Sequence, residues 1–157
     1  MRVGLVWRGN PRHQNDAERS MPGLHTLAPL WSVPGVQFIS LQTGERATAE
    51  LPTDAPPIDA WGAELTDFAD TAAALEAIDL LVCVDTAMAH LAGAMGRPCW
   101  VLLPHHRTDW RWQRGRDDTP WYPRGMRLFR QPRRGDWAAV VERVRGVLAE
   151  HVKAGAP

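Results

Sequence analysis

Short runs of uninterrupted apolar residues alternate along this chain with stretches in which apolar residues recur every third or fourth position. Val3 to Trp7 is a β-rich run closed by the turn signal Gly9-Asn10-Pro11, and it reads as a first buried strand. Pro22 suits a first helical turn, and Leu24, Leu27, Leu30 and Trp31 predict a short amphipathic helix broken at Pro34-Gly35. Val36 to Leu41 reads as a second strand, ending at Gln42-Thr43-Gly44. Residues 43 to 60, rich in Pro, Thr, Ala and acidic residues, are expected to form a surface connection with little regular structure. Asp70-Thr71 is the expected cap of a helix over Ala72 to Ala77. Leu80-Leu81-Val82-Cys83-Val84 lacks any apolar/polar alternation, the mark of a strand covered on both faces in a parallel sheet. A helix follows from Asp85 to Met95, closed by Gly96, then a strand from Pro98 to Leu103. A Trp- and Arg-rich loop from His105 to Arg124 leads to a last strand near Met126 to Phe129. Asp136 caps a terminal helix with a stripe of Val140, Val141, Val144, Val147 and Leu148. Strands and helices in this order predict an α/β fold with a doubly wound, mostly parallel sheet.

Composition narrows the partners. With 157 residues, 45% of them hydrophobic, the chain is long enough for one domain over 1–157 and too short for two nucleotide-binding domains. Eighteen basic residues balance eighteen acidic ones, so no overall field favours nucleic acid or an anionic membrane, and any anion site is local. Neither a signal peptide nor a membrane span is legible, and Cys83 and Cys99 sit in apolar strand-like runs without metal or redox spacing. A cytoplasmic protein with buried, reduced thiols is the expectation.

In an open parallel sheet, ligands bind beyond the carboxyl ends of the strands, which singles out the residues after Val84 and after Trp7. Asp85-Thr86-Ala87-Met88-Ala89-His90 opens a helix whose first amides attract a phosphate, and Thr86 and His90, four apart, share a face. The same residues serve equally well as a plain helix cap with His90 a satisfied core histidine. The loop from Arg8 to Ser20 has neither the dinucleotide glycine fingerprint nor the P-loop pattern. Its Gly9 lets backbone approach a ligand, and Arg8, Arg12 or Arg19 can supply a phosphate fork; a solvated charged loop is the other reading. Asp109-Trp110-Arg111-Trp112 with Trp121-Tyr122 can stack a base, or can be a loop anchored by tryptophans packed beneath it.

Asp85-Thr86-Ala87-x-x-His90-Leu91-Ala92-Gly93-Ala94-x-Gly96-x-Pro98 resembles the signature of heptosyltransferase-like glycosyltransferases. Gly4-Leu5-Val6-Trp7-x-Gly9-Asn10-Pro11, Asn15-Asp16-x-x-Arg19-Ser20, Asp109-Trp110-Arg111-Trp112 and Trp121-Tyr122-Pro123 resemble the C-terminal domain of bacterial tetratricopeptide-repeat proteins fused to such a transferase module. The resemblance implies one Rossmann-like half of a GT-B architecture that binds a nucleoside-diphosphate sugar, with no metal or other cofactor. It implies a donor site of Gly9, Asn10, Arg19, Ser20, Asp85, Thr86, Ala87 and His90, where heptosyltransferases place a lysine in the loop that here holds Arg19. Gln42 and Trp112 are the candidates for a base or ribose contact. The family's other half carries the acceptor surface and the usual catalytic carboxylate, and this chain shows no counterpart, so no general base is assigned. Inverting O-glycosyl transfer is therefore expected only beside an acceptor domain. The alternative is a non-catalytic nucleotide or nucleotide-sugar module assembling with a tetratricopeptide-repeat protein, and an exposed cleft face also makes a homodimer conceivable.

Overall fold

Six strands build one all-parallel sheet in the order β3-β2-β1-β4-β5-β6. In the computed structural model, which describes residues 1–44 and 56–155, these are β1 (Arg2–Val6), β2 (Gln37–Ser40), β3 (Asp59–Ala60), β4 (Leu80–Val84), β5 (Cys99–Leu103) and β6 (Met126–Arg130). The helices are α1 (Asp16–Arg19), α2 (Phe68–Glu76), α3 (Ala87–Ala94) and α4 (Trp137–Lys153), with a 3-10 helix at Leu24–Ser32. The doubly wound, Rossmann-like α/β architecture expected from the sequence is the one observed.

Both faces of the sheet are covered, which is why β4 and β5 are buried at every position. Val3, Leu5, Trp7, Val82, Val84 and Leu102 face one core, shared with the 3-10 helix and α4. Ile39, Leu41, Leu81, Cys83, Val101 and Leu103 face the other, shared with α2 and α3. Alternate residues of each strand thus feed opposite layers, and hydropathy alternation vanishes because both layers are apolar. No helix among the described residues is long and apolar enough to cross a membrane.

The structure departs from the expected elements in four places. Leu24–Ser32 winds as a 3-10 helix with Pro29 inside it; proline has no N–H to donate, and at three residues per turn Leu24, Leu27 and Leu30 fall on one buried face. The cap of α2 is Asp67, whose carboxylate accepts from the Ala69 and Asp70 amides at 2.7 and 2.9 Å. Asp70 instead accepts from the Thr66 amide and hydroxyl, so the helix begins at Phe68, earlier than the Asp70-Thr71 reading placed it. Within the stretch read as irregular, Asp59–Ala60 forms a strand paired with Ile39 and Ser40, while residues 45–55 lie outside the described residues. The loop after β1 contains α1. At the far edge, the Leu128 amide of β6 donates to the Asp117 carbonyl at 2.7 Å, so the aromatic loop folds back along that strand.

Two predictions follow from the packing. Leu148 is fully buried on α4, and Leu148→Ala should cost about 2–5 kcal/mol, seen as a lower urea midpoint at unchanged slope. Cys83 and Cys99 are buried with their sulfurs 3.7 Å apart, and burial, with Cys99 beside it, holds the Cys83 thiol well above its ordinary pKa. Neither thiol should react with a disulfide reagent in the native protein at mildly alkaline pH, and both should react in concentrated guanidinium.

Candidate functional site

The strand order reverses between β1 and β4, since the chain passes from β1 to β2 on one side and later returns to β4 on the other. The segments leaving β1 and β4 therefore part at their carboxyl ends and leave a crevice. Two adjoining clefts fill it. The first, about 540 Å³, is lined by the end of β1, by Gly9, Asn10 and Arg19 of the following loop, by Gln42 to Gly44 after β2, by Phe68 and Thr71, and by Thr86 to Met88. The second, about 460 Å³, is lined by His13 to Asn15, Arg19, Asp85 to Ala87, His90 and Arg107 to Asp109. Arg19, Thr86 and Ala87 belong to both.

The ridge between the clefts is the start of α3. Thr86 occupies the cap position in extended conformation, yet its hydroxyl makes no capping bond to the helix. Its Oγ1 is buried without a hydrogen-bond partner among the described residues. α2 and α4 contrast with this, since Asp67 and Asp136 accept from their first-turn amides. An open helix start with positive dipole and unused donors favours an anion.

Arg19 reaches this point from the other loop. Its guanidinium donates to the Asp85 carbonyl at 3.1 Å and lies 3.8 Å from Asp16, while Nε is buried with no hydrogen-bond partner. Gly9 makes room for it, because a Cβ there would stand 2.7 Å from Arg19 Nη2. Ser20 holds the loop in shape, accepting from the Gly9 amide at 2.8 Å and donating to Asp16 at 2.6 Å, and it lines neither cleft. Asn10 lines the first cleft while its side chain accepts from the Arg12 amide. Gln42 also lines it, but its amide is spent on the backbone of Trp7 and Arg8, accepting from both N–H groups and donating to the Arg8 carbonyl. No acidic side chain lines this cleft among the described residues.

Asp85, at the end of β4, is buried. Its carboxylate accepts from Trp112 Nε1 at 2.8 Å and, more loosely, from the Asp109 amide. Trp112, only 1% exposed, is stacked under His90 with ring centroids 4.9 Å apart, so it meets a ligand through His90 and not by its own face. His90 Nδ1 and the Tyr122 hydroxyl are hydrogen-bonded at 3.0 Å. Gly93, one turn along α3, lies against the Tyr122 ring, where a Cβ would approach to 2.5 Å. Arg130 pins the aromatic loop from below, donating to Thr108 and to the carbonyls of Trp112 and Gln113; burial first, and then Arg114, lowers its pKa from the ordinary value. Of the two readings of that loop, anchoring tryptophans describe Trp112, whereas Trp110 and Trp121 stay exposed beside Arg111. Phe68, 66% exposed at the mouth of the first cleft, is a lining residue that the Asp70-Thr71 cap reading leaves outside α2. His13, Asn15 and Arg107 were hidden for another reason: only folding brings the two loops together. No three His, Cys, Asp or Glu residues among the described ones group so as to hold a metal ion.

Comparison with known proteins finds two likenesses. The profile of glycosyltransferase family 9 (heptosyltransferase) matches residues 50–109, which include β4, the start of α3 and β5. Protein FlbA of Caulobacter vibrioides is 30% identical over 155 residues, an alignment covering 95% of this chain and 25% of FlbA. The chain thus spans about a quarter of the length of that relative. No solved structure matches. By that profile and that relative the chain is heptosyltransferase-like, a likeness to the glycosyltransferases of family 9 that residues 50–109 carry.

Proposed function

We propose that this chain is the donor-binding half of a glycosyltransferase and holds a nucleoside-diphosphate sugar across the two clefts, its diphosphate at the start of α3. The observation that carries the reading is the meeting of Thr86 Oγ1 and Arg19 Nε, both buried and both without a hydrogen-bond partner, at a helix start that no side chain caps. Most buried polar groups are paired; Asn15 Oδ1, Ser40 Oγ and Gln131 Nε2 also lack a partner among the described residues, but Thr86 and Arg19 line the same wall at an open helix start, which favours an anion there. Nucleoside and base would extend into the first cleft, where Phe68 offers an exposed ring at the mouth, and the sugar into the second. His90, fixed by Trp112 and Tyr122, stands on the sugar side.

Transfer in this reading is an inverting displacement in which the amides of α3 and Arg19 stabilise the departing diphosphate. It also needs a base for the acceptor hydroxyl. Asp85 and Asp109, the only acids lining either cleft among the described residues, are engaged by Trp112 and by Arg111. No acid free to act as that base lines either cleft among the described residues, so in this reading an acceptor domain or a partner such as a repeat protein supplies it. In FlbA the region of likeness is joined to three quarters more of that chain. If no such partner exists, the same cleft describes a nucleotide-sugar sensor.

A calorimetric screen of the chain against ADP, UDP, GDP and CDP tests the proposal. One or more should bind, and Arg19→Gln should weaken that binding about tenfold or more, with Thr86→Val costing several-fold. If all four leave both the heat signal and the melting temperature unchanged, the donor site is wrong. The isolated chain is further expected to bind donor without releasing diphosphate to any acceptor; turnover by the chain alone would place the base inside it.

A further inference from the structure

We infer that the second cleft receives a carboxylate carried by the transferred sugar, so that the donor is the nucleoside diphosphate of an acidic sugar. This rests on the diphosphate lying at the start of α3. Because Arg19, Thr86 and Ala87 line both clefts, a group attached to that diphosphate on the side away from the nucleoside enters the second one.

What awaits it there is a surplus of donors. Arg107 is exposed and lines the cleft, and its guanidinium makes no hydrogen bond or salt bridge among the described residues. Glu18, whose charge Arg107 feels, is already held by Arg134 and lies 4.0 Å from His106. His13 Nδ1 accepts from the Asn15 amide at 3.1 Å, which leaves its Nε2–H to donate. The carboxylates are committed elsewhere, Asp109 taking both its bonds from Arg111 at 3.0 Å and Asp85 turning to the Trp112 indole, which leaves the buried Asn15 amide oxygen as a side-chain acceptor without a partner among the described residues. A neutral sugar presents hydroxyls that need acceptors as well as donors, and this wall supplies few. A carboxylate is acceptor-only and matches it.

Asn15 positions both donors. Its backbone amide orients His13, and its side-chain amide donates to the Arg107 carbonyl at 2.6 Å, holding Arg107 at φ 57°, a conformation few side-chain-bearing residues adopt. Asn15 thus ties together the two loops that flank the cleft.

The test compares donors that differ only in the carboxylate: UDP-glucuronate against UDP-glucose, and GDP-mannuronate against GDP-mannose, each titrated calorimetrically beside free ADP, UDP, GDP and CDP. In at least one pair the acidic member should bind about tenfold tighter. Arg107→Gln should bring the ratio close to one, while Arg114→Gln, which removes the same charge outside the clefts, should keep it. Raising the salt concentration should narrow the ratio, since part of it is charge attraction. Equal affinities within both pairs, failure of both pairs to bind, or a preference that survives Arg107→Gln overturns the inference. If a free diphosphate still binds in that case, the donor site stands without the acidic sugar; if none of the four binds, both readings fall together.

Discussion

Asp85 leaves β4 with its carboxylate turned into the protein, where it takes the Trp112 indole proton, and with its carbonyl turned to the Arg19 guanidinium. Through the first bond it fixes the aromatic loop, and through the second it fixes the loop that follows β1. Trp112 in turn supports His90, and His90 is bonded to Tyr122, which lies on Gly93. A single buried acid thus sets the distance between three segments that share no sequence neighbourhood. The arrangement is expensive to disturb, because a buried carboxylate stripped of its donor keeps its desolvation cost. It also explains why an aspartate at a helix start caps nothing: its side chain is already spoken for, and Thr86 inherits the cap position with its hydroxyl unused.

Function sits on this frame by subtraction. Where α2 and α4 close their first turns with aspartates, α3 leaves its first turn open at the reversal of the sheet. Ser20, Gln42 and Asn10, all polar and all near the crevice, are consumed in shaping the loops. Left without a hydrogen-bond partner among the described residues are Arg19 Nε, which still lies 3.8 Å from Asp16, Thr86 Oγ1 and Asn15 Oδ1, beside the exposed Arg107.

The sheet and its order of elements were legible in the sequence because a strand covered on both faces loses its polar alternation, as Leu80 to Val84 does, and because Asp136 and Gly96 mark helix ends by simple local chemistry. Less was legible where two local signals compete. Asp67 and Asp70 both suit a cap, and only the reach of each carboxylate decides between them. Leu24, Leu27 and Leu30 fit a helix of either pitch until Pro29 forbids the wider one. The start of α3 was readable as a phosphate site from spacing and fold logic. The side-chain commitments of Gln42 and Ser20 were not, nor was the meeting of Asn15 with Arg107, because each depends on contacts across many residues of chain.

The rims of the sheet carry a consequence of their own. At one rim β3 is only two residues long, and at the other the aromatic loop takes up the amide at the middle of β6 through Asp117. Neither rim offers a long ladder of vacant backbone groups to a strand from another molecule, so growth by edge-to-edge pairing is discouraged at both ends.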